Sequence, residues 1–455
     1  MTRKPQRVVK REGGRAENGF LNRVGSAVGP WLKSPVLDFY GILTVGVLLI
    51  VFGIVMVLSS SFVLDVAGGG SGYGRAIKHF LLVLIGLVLM TIAAVLPPGF
   101  YRKIAPLALL AGLGLQTLVI FIGKEINGNR NWLQFGGQSF QPSEMLKLAL
   151  IVWMALALSN RQPSLHRIKA IMPAVLPAII GLGAVLIGKD LGTGLVLVAL
   201  IGTCLWVAGV PRRILAGPAF FGVLAVLGLT FGTSNRRERI SHWLSGYQCS
   251  AEGCYQPRHG LMGLAEGGWF GVGLGESRQK WGLLPHPDND YIFAIIGEEI
   301  GLLGTLLVVF LYVALLFLLT NMVRRYKGDV FTQVATAGVA AWFLSQALIN
   351  MCVVAGVLPV IGVPLPFISA GGTALTVSMG ALGMLLSFAR NEPGAKQAIQ
   401  ASWKSARGSV GVFASGTGGK KSTPGNAKPA RGSKTRAPKA KKNLGNGAKG
   451  RKPRA

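Results

Sequence analysis

The chain has 455 residues, of which 51% are hydrophobic and only 14% charged, with a mean hydropathy of +0.49. A soluble globular domain carries about a quarter charged residues, so that class is excluded; the apolar runs are continuous and not alternating, which excludes a membrane β-barrel. The net charge of +30 sits mainly at the two ends: the first 35 residues hold eight Lys or Arg, and residues 396–454 hold 16 with no acid.

The first apolar run follows a long basic lead and exceeds the h-region of a cleaved leader, so it is expected to remain as a signal anchor. Ten apolar segments can be marked, at roughly 37–58, 79–97, 104–123, 143–159, 170–188, 191–209, 213–232, 291–322, 332–355 and 368–389, each read as a membrane helix. Bases cluster at the N-terminus, at Arg102-Lys103, at Arg161/Arg167/Lys169, at Arg212-Arg213, at Arg324-Arg325-Lys327 and in the tail. These are alternate connections, so the positive-inside rule puts both termini in the cytoplasm. The expected architecture is an all-α polytopic membrane protein of about ten transmembrane helices, N-in and C-in, with a large extracytoplasmic loop (233–290) between helices 7 and 8. Residues 1–35 form a basic cytoplasmic segment, 36–390 the transmembrane domain, and 391–455 a basic tail. The tail lacks large apolar residues and is expected to be disordered. It suits anionic lipid headgroups or an acidic cytoplasmic partner, and nucleic acid is not expected.

The outer connections carry most of the chemistry. Of only 17 acids, Asp288, Asp290, Glu298 and Glu299 fall within "LPHPDNDYIFAIIGEE" at 284–299. Asp290 stands where the outer loop re-enters the membrane, beside Tyr291, Ile292 and Phe293. Lost solvation and the like charge of Asp288 would raise its pKa and make it a better base. The alternative is a helix N-cap, and one residue can serve both roles. Glu298 and Glu299 lie inside an apolar segment, either as functional acids or as hydrogen-bonding anchors of the bundle. Glu144 and Lys147 are three apart and share a helix face, as an internal ion pair or as a phosphate contact that Arg130 could join. Arg278 and Lys280 follow the glycine run "GGWFGVGLG" and are either anion contacts, ahead of Arg236, Arg237 and Arg239, or part of a plain solvated loop. "PLPFISAGGTA" at 364–374 offers Ser369, Gly371 and Gly372 as a cavity wall or as a tightly packed helix entry. Asp190, at an outer turn, reads first as a helix cap. Cys249 and Cys254 are open to either a short-loop disulfide, which suits the oxidising outer side, or free thiols.

Four stretches together resemble the FtsW/RodA (SEDS) family. They are "NGNRNWLQFGGQSFQPSEMLKLAL" at 127–150, "DLGTG" at 190–194, "GGWFGVGLGESRQKWGLLPHPDNDYIFAIIGEEIG" at 267–301 and "NMCVVAGVLPVIGVPLPFISAGGTAL" at 350–375. "FGIVMVLSSS" at 52–61 and the long basic extensions are similar to the division-type branch in its actinobacterial form, with the elongation type as neighbour. The resemblance implies a glycosyltransferase that polymerises lipid II into peptidoglycan at the outer face of a bacterial plasma membrane. It implies Asp290 as general base, although the family's usual His-Thr-Asp-Phe stands here as Asp288-Asn289-Asp290-Tyr291. It further implies a class B penicillin-binding transpeptidase (FtsI-like) and other divisome proteins as partners, and a place at the septum. A divalent cation, Mg or Mn, could accompany the pyrophosphate, with Asp288 and Asp290 as ligands. A lipid II flippase and a non-catalytic scaffold are the rival classes. The crowding of acids on the outer side favours chemistry.

Overall fold

In the computed structural model the described residues are 35–217, 222, 228, 234–392, 394, 395 and 397, apart from 127–128, 136–137, 250–251 and 286. Among them the fold is a helical bundle. It runs α1 (Pro35–Ala67), α2 (Gly74–Val95), α3 (Pro98–Ile122), a small sheet, α4 (Pro142–Ser159), α5 (Ile168–Ile187), α6 (Leu191–Val207), α7 (Ser234–Leu244), α8 (Glu252–Gly267), α9 (Ile292–Glu299), α10 (Gly301–Arg325), α11 (Val330–Val354) and α12 (Gly372–Asn391). Eight of these helices are long and apolar enough to cross a membrane, and α6 is a shorter apolar helix. They account for nine of the ten expected segments. The expected segment at 213–232 lies mostly outside the described residues, as do the tail and the first 34 residues.

The layering follows from side-chain size and polarity. α2 and α3 present exposed Leu, Ile, Val and Phe, as lipid-facing helices do, whereas α4 and α12 are buried along most of their length. α2 and α12 approach closely where glycines fall on either helix. A Cβ at Gly383 would stand 2.2 Å from the Met90 carbonyl oxygen, and one at Gly86 would stand 2.3 Å from Met379 Sδ. Such small-residue seams bring helices together where lipid supplies no hydrophobic drive.

One expectation is corrected, and two details are added. Segment 291–322 is not one helix. It breaks at Ile300–Gly301, where Gly301 adopts φ +75° and a Cβ would stand 2.4 Å from the Gly271 backbone nitrogen. Only glycine enters that left-handed region at little cost. The expected outer loop at 233–290 carries two helices of its own, α7 and α8. The all-α expectation also missed an antiparallel sheet of order β1-β2-β3, formed by β1 (Lys124–Ile126), β2 (Asn129–Phe135) and β3 (Gln138–Phe140). Its Trp132–Lys124 and Leu133–Phe140 pairings fold the connection back over the ends of α3 and α5. Arg130 N–H donates to the Gly188 carbonyl at 2.9 Å, which ties β2 to the end of α5.

The opposite end of the bundle gathers the bases. Arg102 pairs with Asp329 and lies 4.8 Å over the Phe331 ring. Arg325 bridges Asp38, at the first turn of α1, and Glu392, 3.3 Å away just past α12.

Candidate functional site

The N-terminal ends of α4, α6 and α12 converge at the end of the bundle remote from those bases. The chain entering each is constrained. Gln141 N–H donates to Thr373 Oγ1 at 3.3 Å, joining the entries of α4 and α12. Asp190 caps α6 by accepting from Thr193 N–H at 2.9 Å and from its hydroxyl at 2.7 Å, and it accepts from Gln141 Nε2 at 3.3 Å. Helix N-termini present unpaired N–H groups and the positive end of the dipole.

Beside them opens a cavity of about 280 Å³, lined by Asn131, Gln141, Glu144, Lys147, Asp190, Thr193, Arg239, Gln256, Asn289, Asp290, Gln346, Gly362, Gly371 and Thr373, among others. Its charged residues are three acids (Glu144, Asp190, Asp290) and two bases (Lys147, Arg239). Lys147 is buried. Its ammonium donates to Glu144 Oε1 and to Gln346 Oε1, each at 2.9 Å, and lies 4.8 Å from the Trp342 ring centre. Glu144 Oε2 is buried at the cavity with no hydrogen-bond partner among the described residues.

Asp290 is half-buried, and the backbone around it is clamped. Three successive carbonyls are each satisfied from another element. Asp288 O accepts from Ala370 N–H at 2.9 Å, Asn289 O from the Ser369 hydroxyl at 2.8 Å, and Asp290 O from Asn350 Nδ2 at 2.8 Å. Asn350 Nδ2 also donates to Val363 O at 2.7 Å, and Ser369 Oγ accepts from Leu365 N–H at 2.7 Å. Gly362, at φ +72°, lets the chain pass closely: a Cβ there would stand 3.4 Å from Asp290 Oδ2.

The expected site residues separate into groups. Glu144, Lys147, Asp190, Asp290 and Gly371 line one cavity. Asp290 does not cap α9: the capping position falls to Tyr291, which makes no side-chain cap bond. Asp288 lies outside the cavity lining, 3.8 Å from Arg75. Ser369 acts on the backbone of residue 289. Gly372 packs toward Leu82, 2.9 Å from where its Cβ would be, and does not line the cavity. Arg130 donates to Ile120 O at 3.3 Å and stays with α3.

Lys280 and Arg278 are corrected most. Lys280 is buried away from the cavity. Its ammonium is engaged by Glu299 Oε1 at 2.9 Å, the Gly275 carbonyl at 2.6 Å and the Ser59 hydroxyl at 3.3 Å. Ser59 Oγ also donates to Glu299 at 2.7 Å. The Lys280 ammonium does not line the cavity, unlike Lys147, so it does not meet a group bound there. Glu298 accepts from Arg278 N–H at 2.6 Å and from the Ser277 hydroxyl at 2.5 Å. The Arg278 side chain is exposed and outside the cavity. Glu298 and Glu299 therefore pin the glycine-rich loop to the α9–α10 break, the anchoring role that the sequence left open.

Arg239, Gln256, Gln346 and Asn350 are site residues the sequence reading missed or ranked low. Gln346 and Asn350 did leave a signal: they are four apart on one face of an apolar helix. Arg239 Nη1 donates to Val360 O at 3.3 Å while its helix borders the cavity. Arg236 Nη2 donates to Lys189 O at 2.6 Å, and burial, with Arg239 beside it, lowers its guanidinium below the usual arginine range. Cys249 and Cys254 are joined by a disulfide between α7 and α8.

The bundle and its cavity define a multi-pass membrane protein with a charged, carboxylate-bearing chamber at one end. The model of the FtsW/RodA/SpoVE cell cycle proteins matches residues 40–393. The chain belongs to that family. It is 35% identical over 389 residues to the probable peptidoglycan glycosyltransferase FtsW of Mycobacterium tuberculosis, covering 85% of this chain and 74% of that one. Stage V sporulation protein E of Bacillus subtilis is 32% identical, over 75% of this chain and 94% of its own. Among solved structures, a peptidoglycan synthase complex that coordinates polymerization and crosslinking superposes with a TM-score of 0.65 at 26% identity, over 78% of this chain and 98% of that chain. RodA of Thermus thermophilus shares the fold, with a TM-score of 0.58 at 24% identity, over 78% and 97%.

Proposed function

We propose that the protein is a peptidoglycan glycosyltransferase that polymerises lipid II at the outer face of the plasma membrane. The observation that carries this reading is the meeting of Asp290, held by three backbone clamps, with Lys147, Arg239 and three helix N-termini at one cavity. Asp290 takes the proton of the attacking sugar hydroxyl. The new C–O bond forms at the anomeric carbon, and the old one breaks with its electron pair on the polyprenyl pyrophosphate. Helix N-termini and the two bases favour that anion. Lys147 is already shared with Glu144, so Arg239 is the nearer candidate for the phosphates.

A cation would have a limited donor set. Asp288 faces Arg75 and Asp190 is spent on its cap, whereas Glu144 holds Lys147 through Oε1 and keeps a buried Oε2 with no hydrogen-bond partner among the described residues. Glu144 and Asp290, both at the cavity, are the carboxylates that would hold Mg or Mn beside the pyrophosphate, and no step is derived through the cation.

The likeness to a synthase complex and the FtsW relatives support a class B penicillin-binding transpeptidase as partner, within the division machinery at the septum. The alternation of basic connections supports the N-in, C-in orientation, with the cavity outside. The basic tail then meets anionic lipid headgroups or an acidic partner.

The test is reconstitution with labelled lipid II and the cognate transpeptidase. Wild-type chain is expected to yield glycan polymer, and Asp290→Ala or Asp290→Asn none. Equal polymer from all three removes Asp290 from the role. Lipid crossing the bilayer without polymer replaces the enzyme with a flippase.

A further inference from the structure

The corner between α7 and α8 holds more than a disulfide. Tyr247 N–H and the Ser245 hydroxyl both donate to His242 O, at 2.9 and 2.8 Å, so the turn folds back along α7. That brings Cys249 and Cys254 beneath the His242 ring. One ring nitrogen and the two sulfurs all lie within 4.8 Å of one another, and among the described residues no other trio of His, Cys, Asp or Glu is so placed. Cys254 is fully buried. His242 Nδ1 is buried and has no hydrogen-bond partner among the described residues. Residue 253 must be small for this: a Cβ there would stand 2.7 Å from that nitrogen.

We propose that reduction of the Cys249–Cys254 bridge converts this corner into a metal site, in which two thiolates and His242 hold one zinc-class cation and water takes the fourth position. Tetrahedral zinc with Zn–S near 2.3 Å needs donors roughly 3.5–4 Å apart, so parting the sulfurs and closing the ring onto them is a local movement of the turn. The redox step is balanced by a dithiol. It gives two electrons and two protons to the bridge and becomes a disulfide itself. Uptake of the cation then displaces the two thiol protons. Exchange with a disulfide, which takes two electrons from the two thiolates and departs as a dithiol, re-forms the bridge and expels the metal. The corner is thus stapled in either state, by sulfur–sulfur bond or by cation. Both staples hold the same two cavity residues: Arg239 lies three residues before His242, and Gln256 two residues after Cys254. The proposal stands apart from the glycosyltransferase reading, since its readout is metal binding alone.

The experiment uses the full chain in detergent. It is treated with a dithiol, freed of it anaerobically and titrated with Co(II) as a coloured stand-in for Zn(II). One equivalent is expected, with a thiolate-to-cobalt charge-transfer band, displaced by Zn(II). The unreduced chain and the Cys249→Ser/Cys254→Ser chain should bind none. His242→Ala should weaken binding at least ~10-fold, the loss that removing even an outer-shell partner produces. A Cys204→Ser/Cys352→Ser chain should bind as wild type does. Uptake that survives in Cys249→Ser/Cys254→Ser overturns the site. So does a cobalt band indifferent to His242→Ala, or no uptake by a reduced chain whose helicity is intact.

Discussion

Asn350→Ala tests the claim that Asp290 works only when its backbone is held. Asn350 is buried, and its amide makes two bonds, to Asp290 O at 2.8 Å and to Val363 O at 2.7 Å. Interhelical side-chain bonds in membrane proteins average about 0.6 kcal/mol, which sets a floor near 1 kcal/mol for the pair. Stranding two buried carbonyls sets a ceiling near 4 kcal/mol. Either loss leaves much of the chain folded. The catalytic effect should be larger than the stability effect, because a misplacement of about 1 Å costs on the order of 100-fold in rate. The side chain of Asn350 does not line the cavity, so substrate affinity should change little. The assay is glycan polymerisation per folded molecule, with KM and kcat separated and thermal unfolding measured beside them. A kcat drop of about 100-fold with KM within a few-fold supports the clamp. Wild-type turnover from a folded Asn350→Ala chain would refute it, and so would a loss that merely tracks the folded fraction.

Gly362→Ala should fold with a penalty of about 1–2 kcal/mol for its left-handed backbone. The added methyl would only touch the Asp290 carboxylate at 3.4 Å, so polymerisation per folded molecule should fall by no more than a few-fold; a thermal melt and the polymer assay read the two effects. Lys280→Met or Glu299→Met alone should destabilise by about 3–5 kcal/mol, since each strands a buried charge, while the double variant should recover most of it. A double variant no better than either single would contradict the pairing. Glu144→Gln should keep an acceptor for Lys147 but remove the charge that balances it, and lower polymer yield more than it lowers the melting temperature.

The bundle was legible because membrane helices write themselves as long apolar runs and because bases alternate between connections. Glu144–Lys147 was legible for a similar reason: a spacing of three fixes a shared face wherever the helix lies. The break at Gly301 was not. "IFAIIGEEIGLL" satisfies every criterion of a continuous span, and the bend falls at a glycine whose missing Cβ leaves room for the backbone of residues 269–271, thirty residues earlier. The fate of Lys280 was hidden likewise. Its nearness to Asp290 in sequence suggested a shared site, whereas the loop delivers it to Ser59 and Glu299. The small sheet escaped because strands of three to seven residues are lost beside the neighbouring apolar runs. The three carbonyl clamps escaped because backbone acceptors carry no mark in a sequence.

The Lys280–Glu299 contact also constrains how the chain can change over generations. Neither partner has a tolerable neutral single-step replacement, since the intermediate would carry a lone charge in a dry interior. Descendants should therefore keep both or exchange both, and positions 280 and 299 should mutate together across the lineage. Relatives with a neutral residue at one position and an unchanged charge at the other should be scarce, unless a new ion partner has arisen near Ser59.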